Sequence, residues 1–574
     1  MSKVRLITYV FVVLFSFTTP IFADPSTNTI LVEGIKIQGG VNGMVFDSED
    51  NFYVSSVWGH KIYKLDPNTG EILDIFDSND GILWPEEIAI GPDNSIYWTS
   101  VVMGEVGKLS PDRLSVTHQF VTPFINSIAF SHDGRLAAAA DLFSSGLYEL
   151  ALELNSPPRL IDENVASSSL TFGSNNLLYG TVIWGEQLIS VDIDTGVTNT
   201  VVDSMTLPGS VKFDNLGNLY VSDIALGEIF LVDEQTNTST FFADLGIGGN
   251  RFAFDSNNRL FFSNTLTGNI SEMNPDGTSR EVLAGGLVAP NGISVFTKGT
   301  NTSIFVGNIQ TLLEFDTHTG ETLSEEFNIL TEQGITSPMT VSADGDNLVL
   351  ASWLFPTVQV WNPETKTVIE EYTDFISPVN AIRYQNSLII ADLGEGFTNP
   401  QVVMRSAVED TVLADDTTGL ITPLGLVATE NNLWVSDWST GKILQLIRDG
   451  VQLVEPLVVV EGLSKPEGLA IDLKGNMLVV ETGKQQLSRI KFREGKKPKI
   501  KKIAKKLGVG NTVYPSIIPV APPSYFFSGV AVDDEGVIYV SGDELNVVYR
   551  IEPKNKGVAE SEDFEYEEFE DNDD

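Results

Sequence analysis

What most constrains this chain is a repeat, set out in Lys465 to Gln486, KPEGLAIDLKGNMLVVETGKQQ. Pro466-Glu467-Gly468 reads as a turn, with Gly468 free to take a positive φ. Leu469 to Asp472 read as a short strand and Lys474-Gly475-Asn476 as a tight reversal. Met477 to Val480 then form a second, apolar strand ending at Glu481. Two short strands joined in this way are half of a four-stranded antiparallel unit. Aligned on the place of Glu467, the same grammar opens at Asn42, Glu86, Asn126, Ser168, Gly209, Asn250, Asn291, Met339, Asn380, Leu424, Glu467 and Ser528. Most steps are about 40 to 44 residues. Each repeat reads strand, turn, strand, Gly-containing loop, strand, turn, strand, and no amphipathic helical stretch competes with it.

Four strands at a period of about 40 residues are the signature of β-propeller blades, and propellers commonly hold four to eight blades. Twelve repeats therefore divide into two six-bladed rings, with seven plus five and a single ring of twelve as the other partitions. The expected domains are 24–287 and 288–555, with the boundary near Gly285 to Val288. Thr29 to Ile37 is a lone strand, while Ser528 to Ile551 supply only three. The N-terminal strand is thus expected as the outer strand of the last blade, so that the chain begins and ends in the second ring and an open sheet edge is hidden.

Composition narrows the function classes. Lys and Arg total 35 against 78 Asp and Glu, a net charge of −43 that argues against nucleic-acid or anionic-membrane partners and otherwise serves solubility. Cysteine is absent, which excludes disulfides, thiolate catalysis and Cys-based metal centres. The four histidines, His60, His118, His132 and His318, show no zinc-hydrolase spacing. Residues 1–23 read as a signal peptide: Lys3 and Arg5, an apolar run from Leu6 to Phe17, then Ile21-Phe22-Ala23 as a cleavage site. That run is too short to span a bilayer, so a secreted or periplasmic monomer with no membrane span is expected.

Two segments depart from the repeat. Residues 491–525 read as an insertion: a basic run from Lys491 to Lys506, then a long proline-containing loop. The run is either a solvated outer strand and turn or a docking site for an acidic partner or the C-terminal tail. That tail, 556–574, carries ten acidic residues between Glu560 and Asp574 and reads as disordered.

The opening residue of each innermost strand points to the mouth of a propeller's channel, where one residue per blade converges. Oxygen-bearing side chains there suit a hard cation. The first ring offers Asn42, Glu86, Asn126, Ser168 and Asn250; the second offers Asn291, Asn380, Glu467 and Ser528. The competing reading is that each Asn caps its own turn. Glu87 flanks Glu86, and one of the two is expected to face solvent. A second tier closes the second strands: Asp141, Asp223, Asn264, Asn308, Asp392, Asp437 and Glu481. The Asp residues read as ties for the following loop. Glu481 replaces the usual Asp, one strand pair from Glu467, and two carboxylates on one ligand make a candidate general base.

The P-x-G-[apolar]-x-[apolar]-D-x-x-G-N-[apolar]-[apolar]-V string resembles the six-bladed superfamily of SMP-30/gluconolactonase and NHL-repeat proteins, and also the streptogramin (virginiamycin B) lyases. The likeness spans about residues 38–555. In the gluconolactonase-like enzymes a Glu, Asn residues and an Asp hold a divalent cation, usually calcium, that polarises a lactone carbonyl while the Asp acts as base. The resemblance implies a Ca2+ set of Glu467 with Asn291 and Asn380, and another of Glu86 with Asn42, Asn126 and Asn250. No Asp occupies any opening position, so Glu467 and Glu481 stand as the candidate catalytic residues. The lyases use a His at the opening position, and this chain has none there. The readings are a secreted metal-dependent hydrolase of a lactone or cyclic ester, a non-catalytic double-propeller binding or scaffold protein with a small-molecule or protein partner, and a lyase on a cyclic natural product.

Overall fold

A computed structural model describes residues 28–141, 144–309, 311–327, 334–510 and 527–552. The expected signal peptide, the expected disordered tail and positions 511–525 of the expected insertion lie outside the described residues. The chain forms twelve four-stranded antiparallel sheets, the blades of a β-propeller architecture, numbered here in chain order. Eleven are built from four consecutive strands; blade 11, for example, runs Pro466–Ile471, Met477–Glu481, Gln486–Arg493 and Lys496–Lys505. Blade 12 takes Val530–Val532, Ile538–Gly542 and Val547–Ile551, with Thr29–Glu33 as its outermost strand. Thr29 sits opposite Arg550 and Glu33 opposite Val547.

Burial falls from the inside of each blade outward. The second strands Phe52–Ser56, Ile96–Ser100, Leu136–Ala140 and Met477–Glu481 are buried along their whole length, while Val116–Phe120 and Lys496–Lys505 are mostly exposed. An inner strand is covered by a neighbouring blade on each face, so it reads as a continuous apolar run rather than an alternating one. The apolar clusters accordingly lie between blades: Tyr53, Ile62, Ile88 and Trp98 join blades 1 and 2, and Ala470, Val480, Val540 and Tyr549 join blades 11 and 12. Within blades, the Asp of the reversal fixes the hairpin, as where Asp472 accepts from Lys474 N and Asn476 N, 2.9 Å each.

Innermost strands neighbour one another in two cyclic series. The first runs through blades 1 to 6 and returns to blade 1; the second runs through blades 7 to 12 and returns to blade 7. Phe261 of blade 6 packs on Phe46 and Phe52 of blade 1, with ring centroids 5.2 and 5.4 Å away. Ser256 binds Asp50 through both N and Oγ. Ile293 and Val306 of blade 7 share a cluster with Ala531 and Tyr539 of blade 12.

Two local expectations are corrected. Pro466-Glu467-Gly468 is the start of the innermost strand, with Pro466 opposite Glu481 and a bulge before Leu469. Gly468 is needed for close approach rather than for positive φ, because a Cβ there would lie 2.6 Å from Ser528 O. The basic run is not inserted sequence: most of it forms the third and fourth strands of blade 11, pairing Arg493 with Lys496 and Lys491 with Lys499. It is the solvated outer hairpin of that blade.

Candidate functional site

Serine and threonine hydroxyls in the second strands hold the opening residues in place. Ser55 Oγ donates to Glu86 O (2.6 Å), Thr181 Oγ1 to Gly209 O and Ser222 Oγ to Asn250 O (2.7 Å each). In the second series Ser436 Oγ donates to Glu467 O (2.9 Å). Each bond pins one blade's opening carbonyl to the blade before it, so the backbone there is held through its carbonyl.

In the first series the side chains are used on one another. Asn42 Nδ2 donates to both oxygens of Glu86 (3.3 and 3.2 Å), and Asn42 Oδ1 accepts from Val57 N (2.9 Å). Arg251, beside Asn250 in blade 6, reaches Glu86 Oε1 at 3.3 Å and Glu87 Oε2 at 3.1 Å, and donates to Ser168 O at 2.9 Å. Lys212 Nζ lies 3.5 Å from Glu87 Oε1. Neither glutamate faces solvent: their side chains are 14% and 1% exposed. The expectation that one would do so fails because Arg251 and Lys212 give both carboxylates a buried counter-charge. Burial pushes the Glu86 carboxyl up, against the pull of Arg251 and with the Glu87 charge adding to the rise. Asn126 is buried with its Oδ1 unmatched, and Asn250 likewise leaves its Oδ1 unmatched.

The second series leaves oxygens over. Glu467 is fully buried and its Oε2 accepts from Ser528 N (2.9 Å). Ser528 Oγ donates to Asp543 Oδ1 (2.9 Å), so one serine links two carboxylates. Asn380 gives its Nδ2 to Leu424 O (2.8 Å), which leaves its Oδ1 as an acceptor. Asn291 is fully buried and, among the described residues, neither its Oδ1 nor its Nδ2 has a hydrogen-bond partner. Blade 12 presses against the backbone just after this residue, since a Cβ on Gly529 would lie 2.7 Å from Ile293 N and 3.2 Å from Gly292 Cα.

Glu481 belongs to a different arrangement. Its Oε1 accepts from Ser488 Oγ (2.5 Å) and Gln486 Nε2 (2.7 Å), its Oε2 from Ser464 N (2.9 Å), and Lys484 Nζ lies 3.6 Å away. Burial raises its pKa, but the bonds from Ser488, Ser464 and Gln486 outweigh that and hold it below the ordinary carboxylate value. It does what the Asp residues do at the same register. Asp223 accepts from Thr206 N and Leu207 N, Asp392 from Ser377 N, and Asp437 from Ile421 N. Among the described residues no three His, Asp or Glu side chains converge as a metal cluster.

Sequence reasoning missed Arg251 and Asp543. Asp543 is displaced by Gly542 one place past the usual strand-end Asp, and an alignment tolerant of that shift would have caught it. Arg251 carried no signal within its own repeat.

The donor sets respond differently to the cation that the family resemblance implies. In the first series the Glu86 oxygens and the Asn42 amide already face N–H donors, and a guanidinium stands beside the carboxylate. That set does not fit a cation. In the second series the Asn291 and Asn380 amide oxygens, together with the Glu467 carboxylate that already accepts from Ser528 N, are oxygen ligands of the kind a hard cation takes along with water.

No family model matches the chain, and no curated protein matches it. Among solved structures it is similar to a streptogramin B lyase: 18% identity over 50% of this chain and 96% of that one, TM-score 0.37. It is similar at 13% to a catalytically inactive virginiamycin B lyase from Staphylococcus aureus, over 49% and 96%, TM-score 0.37. The extracellular domain of a protein described as a one-component system of B. thetaiotaomicron matches at 12% over 94% of this chain and 84% of that one, TM-score 0.31. No helix among the described residues is long and apolar enough to cross a membrane.

Proposed function

We propose that the chain is an exported protein of two six-bladed rings, 24–287 and 288–555, that binds a divalent cation of the calcium class at the axial mouth of the second ring. Glu467, Asn291 and Asn380 would hold the ion, with Ser528 and Asp543 buttressing Glu467. The observation that carries this is Asn291: a side chain with no exposure and neither amide atom partnered among the described residues, in the same series of opening residues as the buried Glu467. A buried amide of this kind costs about 1–3 kcal/mol per unmet group unless something meets it.

The arrangement favours binding over turnover. A lactone hydrolase needs a base at this mouth, and Glu481 is committed to its loop with a depressed pKa, which makes it a poor proton acceptor. The lyase reading lacks a histidine at any opening position. The first ring, cross-braced by Arg251, serves as a structural partner. Calorimetric titration of Ca2+ into the mature protein tests the reading: one ion bound, lost in Glu467→Gln, weakened in Asn291→Leu and unchanged in Glu86→Gln. No heat at millimolar Ca2+, or equal loss in Glu86→Gln, would defeat it.

A further inference from the structure

The outer hairpin of blade 11 is a strip of like charge in an acidic chain. Lys491, Arg493, Lys496, Lys497, Lys499, Lys501, Lys502, Lys505 and Lys506 all fall on Gln486–Arg493, Lys496–Lys505 or their flanks. None of the nine forms an ion pair with another described residue; the nearest pairing in the hairpin is Arg489 with Asp472, 2.9 Å. Across the ladder Lys491 faces Lys499, Arg493 faces Lys496 and Arg489 faces Lys501. Like charges directly opposite each other destabilise a sheet. Arg489 has Asp472, but Lys491 with Lys499 and Arg493 with Lys496 have no carboxylate partner among the described residues, and in a protein with 78 acidic residues they call for a counter-charge from elsewhere.

Lys496–Lys505 is also the outermost strand of its sheet, ten residues long and mostly exposed. Its outer backbone groups meet no further strand among the described residues, the condition in which an extended peptide adds on. Ile500 and Phe492 stand 43% and 37% exposed on the same hairpin.

The chain carries a segment of matching chemistry. Glu560 to Asp574, ESEDFEYEEFEDNDD, has ten acidic residues, three aromatic ones and no basic one. The described chain ends at Glu552, just past the strand Val547–Ile551. Arg550 is paired with Thr29, and Asn28 Nδ2 donates to Lys505 O at 3.1 Å. The chain therefore leaves blade 12 about two strand spacings, roughly 10 Å, from the Lys505 end of the basic edge. Positions 553–559 can span at most about 23 Å and the following fifteen about 50 Å, against about 33 Å for the ten-residue strand. A segment starting near Lys505 and running toward Lys496 is antiparallel to the edge.

We propose that the acidic C-terminal segment, 560–574, docks on the outer edge of blade 11 as an added antiparallel strand, its carboxylates against the lysine strip and its aromatic side chains over Ile500 and Phe492. The contact neutralises the strip and closes an edge that would otherwise pair with another chain.

The test uses the full-length protein at micromolar concentration. Zero-length carbodiimide coupling followed by mass spectrometry should join lysines of 496–505 to carboxylates of 560–574 within one chain. Hydrogen exchange over 496–505 should speed up about tenfold in a variant with the ten tail acids changed to Gln or Asn. The same gain is expected near 1 M salt, where the screening length is about 3 Å. Lys499→Gln with Lys501→Gln and Lys502→Gln should abolish the coupling without altering exchange in blades 1 to 6. Unchanged exchange in the neutral-tail variant overturns the proposal. So does coupling that appears only between chains and grows with concentration, which would assign the edge to a second copy.

Discussion

After each opening residue the first series places Gly43, Glu87, Ser127, Ser169, Ser210 and Arg251, and the second Gly292, Thr340, Ala381, Gly425, Gly468 and Gly529. The first axis is braced by charge, with Arg251 tying Glu86, Glu87 and Ser168 across three blades. The second is braced by backbone proximity. A Cβ on Gly425 would lie 2.1 Å from Glu467 O, and one on Gly292 would lie 2.5 Å from Thr340 Cα. One architecture thus closes its centre in two ways. Where charge closes it, Glu86 and Glu87 both face a guanidinium; where glycine closes it, the buried Glu467 carboxylate takes its bond from the backbone N of Ser528.

The largest expected effect tests the charge brace. Arg251→Met leaves Glu86 with the Asn42 amide and Glu87 with Lys212, and losing one partner of a buried pair costs about 3–5 kcal/mol. Urea unfolding followed by hydrogen exchange should show the loss in blades 1 to 6 and little in blades 7 to 12. Adding Glu86→Gln and Glu87→Gln should recover most of it. Equal loss in both halves would show that the two axes are not independent.

The next effect is a histidine-linked acid sensitivity in the first series. His60 is buried, its Nδ1 accepting from Trp84 N at 3.4 Å and its ring edge-on to Trp84 at 4.1 Å between centroids. Burial, with Lys61 nearby, depresses its pKa to about 4. The unfolded chain then binds the proton first, so stability is intact above the ordinary histidine value near 6.5 and falls as pH drops toward 4. The loss is about 2 kcal/mol by pH 5. His60→Asn, which tolerates the positive φ of 53° at this site, should flatten the slope. His318 is the one histidine of the second series, and it is exposed.

Much of this was legible in sequence because it is local. The period near 40, the Asp-to-Gly-Asn reversals and the apolar second strands each live within a dozen residues, and the missing strand of the last repeat pointed to Thr29–Glu33. That the opening residues are mostly polar was legible too. The brace was not. Arg251 and Glu86 are 165 residues apart and meet only when blade 6 returns to blade 1. By strand alternation Arg251 should face away from Asn250, and nothing in its own repeat contradicts that. Glu481 misled for a related reason: a longer side chain at a loop-tying place looks like chemistry until its three donors are seen.

The smallest expected effect separates Glu481 from Glu467. Both are buried carboxylates of blade 11, yet Glu481 takes its bonds from Ser464, Gln486 and Ser488 of its own blade and loop, while Glu467 takes one from Ser528 of the next blade. Glu481→Gln should cost about 1 kcal/mol from weakened charge-assisted bonds. Because its folded pKa is depressed, the contribution it makes is present above the ordinary glutamate value and vanishes as pH falls through the folded one, so the variant should differ from the parent at pH 7 and converge with it in acid. The Ca2+ isotherm of Glu481→Gln should overlie that of the parent within about twofold, a shift worth under 0.5 kcal/mol. If instead Glu481→Gln abolished binding as Glu467→Gln is expected to, the ion would belong to the loop side of blade 11 and not to the axis, and the contrast between the two centres would have to be redrawn around Glu481.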